Sequence, residues 1–118
     1  MAYVDGYVVP VPKKNLAAYK RMAKLGAKVW KRHGALEYRE CVGDDLQPKG
    51  MVGFPKVFKP KSGETVFFSY VVFKSRAHRD AVNKKVMKDP DLTALMGQKM
   101  PFDFKRMAYG GFKVLVES

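Results

Sequence analysis

The segment Thr65-Val66-Phe67-Phe68-Ser69-Tyr70-Val71-Val72-Phe73-Lys74 decides the fold of this chain. Nearly every residue in it is β-branched or aromatic, the composition of a strand whose two faces are both covered. A strand of that kind needs partners and at least one covering layer, and the residues on either side supply them.

Downstream, Ser75 is placed to cap a helix that runs to about Lys88, with a thin apolar side of Ala77, Ala81, Val82 and Val86. Asp89-Pro90-Asp91 restarts a short helix with Pro90 in the first turn, where a missing N–H costs nothing, and Gly97 ends it. A connector over 98–105 with apolar anchors Met100 and Phe102 leads to a last strand, Arg106–Glu117. Upstream, residues 45–63 hold Pro48, Pro55 and Pro60 with Gly50, Gly53 and Gly63, which reads as a long loop with at most a short extended piece near Val57–Phe58. Loops of this length are often mobile or functional, so a lid is one reading of it. Ala35 to about Asp44 sets Leu36, Tyr38, Glu40 and Val42 against Glu37, Arg39 and Cys41, the period of a strand. Over 13–33, Leu16, Tyr19, Ala23, Gly26/Ala27 and Trp30 recur at helical steps, and Gly34 suits the position just past the helix end. Residues 2–10 alternate Tyr3, Asp5, Tyr7 and Val9 with Val4, Gly6 and Val8, a strand that Pro10 and Pro12 are expected to close.

The order is β-α-β-β-α-β. Two such halves make one α+β domain over 1–118, of ferredoxin-like topology, with a four-stranded antiparallel sheet and both helices on one face. The other face is expected to expose Tyr3, Tyr7, Tyr38, Tyr70 and Tyr109. So many bare aromatics call for a cover, and a second copy stacked sheet to sheet supplies one by two-fold symmetry. The expected assembly is a homodimer.

Bulk composition narrows the classes. Twenty-three Lys and Arg against eleven Asp and Glu give a net charge of +12, which favours anionic partners without selecting one. The single cysteine, Cys41, allows no internal disulfide and fits a reducing cytoplasm. No apolar run approaches the roughly 20 residues of a membrane span, and the N-terminus has no signal-peptide pattern. The expected protein is therefore soluble and cytoplasmic, with no membrane partner.

Three stretches give this pattern a family likeness. They are Tyr3-Val4-Asp5-Gly6-Tyr7-Val8-Val9, Gly34-Ala35-Leu36 with Glu40-Cys41, and Asp89-Pro90 followed by Met100-Pro101-Phe102-Asp103-x-Lys105-Arg106-Met107-x-Tyr109-Gly110-Gly111-Phe112. Over essentially its whole length the chain resembles the YbaA-like family of small bacterial proteins of unknown function, within the dimeric α/β-barrel superfamily. The resemblance implies a dimer with a barrel-like core and a cavity in each subunit. It implies no activity: relatives in the superfamily include cofactor-free monooxygenases, haem-degrading enzymes and small isomerases.

Several residues are candidates for chemistry. If the Tyr3/Asp5/Tyr7 face of the first strand looks away from the helices, Asp5 enters an interdimer cavity among Tyr7, Tyr70 and Tyr109. There a desolvated carboxylate is a candidate catalytic base, with Tyr3, Tyr7, Tyr70, Tyr109 and Arg106 as ligand-binding groups. Asp5 serves as readily in an ion pair with Arg39, Lys105 or Arg106 that fixes the dimer. Cys41 reads as a small buried hydrophobe on its strand, and Gly110-Gly111 as a bulge or a close backbone approach. His33, His78 and Cys41 have no metal-ligand spacing, so no metal and no cofactor is expected. Lys20, Lys24, Lys28 and Lys31 form a cationic stripe on the first helix, either a solvated face or a track for a phosphate backbone. Three functions follow. The first is a homodimer binding a small organic molecule on its sheet face, with cofactor-free oxygenase or isomerase chemistry. The second is a basic RNA-associated protein, and the third a structural or regulatory dimer with a filled cavity.

Overall fold

A computed structural model describes all 118 residues, Met1–Ser118. Strand β1 (Tyr3–Pro12) leads into helix α1 (Leu16–Arg32), then β2 (Glu37–Val42), a short helix α2 (Phe54–Phe58), β3 (Glu64–Phe73), α3 (Arg76–Val86), α4 (Pro90–Met96) and β4 (Ala108–Lys113). The sheet order is β2-β3-β1-β4 with every neighbour antiparallel, which is the ferredoxin-like arrangement expected from the sequence. The central pair, β1 and β3, runs in unbroken register from Tyr3 opposite Phe73 to Pro12 opposite Glu64.

Pro10 and Pro12 do not close β1; they lie inside it. The Lys13 N–H donates to the Gly63 carbonyl at 2.8 Å, and the Val114 N–H to the Ala2 carbonyl at 3.0 Å. Odd positions of β1 therefore point their peptide groups at β3 and even positions at β4. Because β4 stops opposite Val8, neither proline has a ladder bond to lose.

Helix α1 ends as its sequence predicts. Gly34 takes φ +113°, its N–H donates to Lys31, and the Ala35 N–H reaches back to Trp30, a Schellman stop. Ser75 caps α3 through an acceptor bond from the His78 N–H, and Asp89 caps α4 by accepting from the Asp91 N–H. Asn15, at the start of α1, makes no cap; its side chain donates to the Pro101 carbonyl and ties the 98–105 connector to the helix.

The face of β1 is reversed from the expectation that sent Asp5 away from the helices. Tyr3 packs with Val82 and Val86 of α3, Val9 and Val11 with Tyr19 and Ala23 of α1, and Asp5 is wholly buried against α3. Tyr7, Tyr38 and Tyr109 share this helix-covered side; of the five expected tyrosines only Tyr70 faces the other way. Covering side chains on this face are large and closely packed: Phe73, Val9, Val11, Val29 and Val86 are at most 1% exposed. Each contributes about 1.5–3 kcal/mol by leaving water.

Other expectations change in detail. The 45–63 stretch holds a helix where an extended piece was expected, and Phe54 of α2 stacks on Phe58 and on Phe68 of β3. β3 is covered on one face only, since Phe68 remains 45% exposed. β2 and β4 are both shorter than the alternation suggests, with a 3-10 turn at Phe104–Arg106 before β4. Cys41 is exposed on the open face opposite Phe68, not buried.

Candidate functional site

Between α1, α4, the 98–107 connector and the sheet lies a cavity of about 240 Å³, and 14 of its 17 lining residues are hydrophobic. α1 approaches β2 closely through Gly26, where a Cβ would stand 3.0 Å from the Tyr38 hydroxyl, and α4 supplies Leu92, Leu95 and Met96 to the cavity wall. Five methionines, Met22, Met87, Met96, Met100 and Met107, line it with Trp30 and Phe102. Thioether side chains adapt to irregular ligands, so the wall suits an apolar guest of no fixed shape.

Glu40 is the one charged residue in that wall. It points inward because it alternates with Tyr38 and Val42 on the covered side of β2, opposite Ser69. Tyr19 Oη donates to Glu40 Oε1 at 2.9 Å and Tyr38 Oη to Oε2 at 2.8 Å. Burial pushes the Glu40 carboxyl above the usual range, and hydrogen bonds from Tyr38, Tyr19 and Ser69 pull against that rise without cancelling it. The two phenols are driven upward, by burial first and by the Glu40 charge second, so they stay protonated donors. The arrangement is a half-desolvated base with both oxygens engaged by donors that can be exchanged for a ligand's own.

A second polar cluster lies on the same covered face: Asp5 stands in the Tyr38–Val71 row, next to the row of Glu40, Ser69 and Tyr7. Asp5 Oδ2 accepts from Asn83 Nδ2 at 3.1 Å, and Oδ1 lies 3.4 Å from Arg79 Nη1. Arg79 also donates to Tyr109 Oη at 2.8 Å and Tyr3 Oη at 3.3 Å, with its guanidinium 4.9 Å from the Tyr3 ring centre. Asn83 accepts from Trp30 Nε1 at 3.1 Å, which joins this cluster to the cavity wall.

The structure thus divides the sequence candidates. Asp5, Tyr3 and Tyr109 come together around Arg79, a partner that none of Arg39, Lys105 and Arg106 replaces. Tyr7 lies 4.9 Å from the Tyr109 ring and reaches the cavity. Tyr70 is on the open face, apart from Asp5. Arg106 is held by a two-bond pair with Glu64, at 2.7 and 2.8 Å, and does not line the cavity. Lys20, Lys24, Lys28 and Lys31 are exposed along α1. Gly110-Gly111 is a close approach without a bulge, since the β1–β4 register is continuous. No three His, Cys, Asp or Glu side chains are grouped to hold a metal. No helix is long and apolar enough to cross a membrane.

Sequence reasoning missed Glu40, Tyr19 and Tyr38 as a site. A signal was present: Glu40 is an acidic residue inside the apolar alternation of Leu36, Tyr38 and Val42.

Strand order, single-sided helices and a cavity beneath them define an α+β protein of ferredoxin-like fold. The same architecture is seen in the structure of Rv0793 from Mycobacterium tuberculosis, with TM-score 0.60 over 100% of this chain and 99% of that one. At 12% identity the likeness concerns the fold alone. Residues 2–104 match the family described as a protein of unknown function, DUF1428, and the chain belongs to that family. It is 41% identical over 117 residues to the uncharacterized protein YbaA of Escherichia coli K12 and to that of Shigella flexneri, covering 99% of each.

Proposed function

We propose that the protein is a homodimer, closed sheet to sheet, whose subunits each bind a small apolar organic molecule carrying one hydrogen-bond donor. The observation that carries this reading is Glu40: one carboxylate, its affinity for protons raised by burial, in an otherwise hydrophobic cavity. A bound hydroxyl or acidic C–H replaces a tyrosine as the donor to Glu40. Proton transfer to Glu40 leaves an oxyanion or carbanion next to the phenol hydroxyls of Tyr19 and Tyr38, which stabilise it. Return of the proton at another atom is an isomerisation, which balances without a co-reactant; an oxygenase would consume dioxygen at the same anion.

The dimer half of the proposal rests on the open face. Val4, Val8, Phe54, Phe68 and Phe112 line a broad hollow of about 530 Å³, and Phe112 is 62% exposed. An apolar patch in the middle of a sheet favours a symmetric partner. Two observations weigh against the other sequence readings. A ligand-free structural dimer leaves no room for a guest, whereas about 240 Å³ stays open, beneath the helices and not on the open sheet face where the sequence placed the ligand. A sheet-face RNA binder needs several cations beside the exposed aromatics, whereas the lysine stripe of α1 lies on the opposite side of the sheet from Phe68, Tyr70 and Phe112, and Arg39 is the one strand cation on their face.

Native mass spectrometry of freshly purified protein tests the proposal. A dimer carrying a discrete extra mass, lost in Glu40→Leu, supports it. A monomer that retains nucleic acid would overturn it and favour the lysine stripe.

A further inference from the structure

Outside the cavity, between the exposed edge of α1 and β2, runs a groove of about 490 Å³. Its floor is apolar, from Leu16, Ala23, Ala27 and Phe67, and Lys20 and Lys24 stand on its α1 side. Groove and cavity share three residues only, Tyr19, Tyr38 and Glu40. Across the partition between them, these three side chains are joined by the pair of phenol-to-carboxylate hydrogen bonds at 2.9 and 2.8 Å. Hydroxyl bonds of this kind exchange by side-chain rotation, and a ligand donor compensates for the one that opens.

The charge along this route has one sign outside and the other inside. Lys20 and Lys24 are one turn apart on the same helix face, exposed, and without a carboxylate within 4.0 Å. Glu40 is the one acidic residue lining the groove, and both its oxygens are already held by tyrosines. An anionic head is attracted to the mouth and repelled from the inner end, while an apolar body is favoured within. A molecule that crosses the partition is thus oriented head out.

Resting on the proposed cavity function, we infer that the ligand class is an organic anion with an apolar body: its carboxylate or phosphate head lies between Lys20 and Lys24, and its body passes the Tyr19–Glu40–Tyr38 partition into the cavity. Two solvent-exposed charge pairs together are worth about tenfold in affinity.

Titration calorimetry of the full chain with 8-hydroxyoctanoate, 8-hydroxyoctyl phosphate, octan-1-ol and 8-aminooctan-1-ol tests this, each probe carrying one hydroxyl donor for Glu40. Either hydroxy anion should bind about tenfold more tightly than octan-1-ol, and the ammonium alcohol most weakly. Whichever anion is tighter identifies the head. In Lys20→Gln/Lys24→Gln, whose changes lie on a solvated helix face, the anion should fall to the level of octan-1-ol while octan-1-ol itself is unchanged. Equal binding of anion and alcohol, or a double variant with undiminished anion affinity, overturns the head site but leaves the cavity standing. If neither anion nor alcohol binds, the cavity reading falls and this inference with it.

Discussion

Asp5 of β1 and Arg79 of α3 form a buried pair, Oδ1 to Nη1 at 3.4 Å, with the carboxylate at 0% exposure and the arginine side chain at 15%. The pair joins the central strand to a helix whose own apolar side is thin, with Val82 and Val86 as its buried residues. Tyr3, Tyr109 and Asn83 contribute to the polar shell, and Asp80 Oδ1 lies 3.0 Å from Arg79 Nε. Removing Arg79 leaves the Asp5 carboxylate desolvated and without a cation, whereas Arg79 without Asp5 keeps Asp80.

Arg79→Met should therefore lower unfolding stability by about 3 kcal/mol, and Asp5→Asn by less, because Arg79 keeps its contact with Asp80. The double variant should lose clearly less than the two single losses added together, because it removes both charges. Urea unfolding of the three variants measures this. Additive losses would show that Asp5 and Arg79 act independently.

Glu40→Gln should stabilise the protein at pH 7, by about 1 kcal/mol, because an amide keeps an acceptor for one tyrosine without a desolvated charge. The sign follows from the raised carboxyl. The folded protein holds the Glu40 proton more tightly than the unfolded chain, so stability falls as pH rises from about 4.3 through the folded value. Thermal melts across pH 4–8 should show that decline in the parent and its absence in Glu40→Gln.

Gly111 and Gly6 should respond oppositely to alanine. A Cβ on Gly111 would stand 2.5 Å from Tyr3 Oη and 2.8 Å from its ring, so Tyr3 must leave Arg79; the expected loss is about 2 kcal/mol. On Gly6 the nearest atom is a Phe112 ring carbon at 3.5 Å, ordinary contact, and Gly6→Ala should be neutral or gain about 0.5 kcal/mol from reduced chain entropy. Chemical denaturation of both variants separates the cases.

Phe112→Lys places a charge in the middle of the open face while touching no buried residue of the covered side. It should convert the proposed dimer to a folded monomer, read by light scattering with circular dichroism as the control for folding. A parent protein that is already monomeric at tens of micromolar would remove the sheet-to-sheet assembly.

Asp89 should carry part of the acid sensitivity. The His33 ring at 2.7 Å first, then the Asp91 N–H and Arg32, hold its carboxyl below the usual range. A depressed carboxyl stabilises the fold above about pH 3.9, and that contribution disappears as pH falls through the folded value. Asp89→Asn should flatten the loss of stability below pH 4 and lower stability at pH 7. An unchanged acid limb would show that α4 is held by its apolar contacts alone.

Much of this fold was legible in local pattern. Val66–Phe73 is unmistakable as a strand, Gly34 has the chemistry of a helix stop, and Ser75 and Asp89 are caps wherever the helices go. These features depend on backbone geometry within a few residues, and sequence alone determined them, together with the element order that dictates the sheet. Period two in β1 likewise separated Tyr3, Asp5 and Tyr7 from Val4, Gly6 and Val8. It could not say which set faced the helices, because both sets mix apolar and small or polar residues and a strand has the same period on either side. Tertiary structure decided that, through Asn83 and Arg79 reaching Asp5 from α3. It also decided the site: Tyr19 and Glu40 are 21 residues apart and meet only when α1 folds across β2. A carboxylate becomes a base with raised proton affinity through what surrounds it, and its surroundings are assembled by packing.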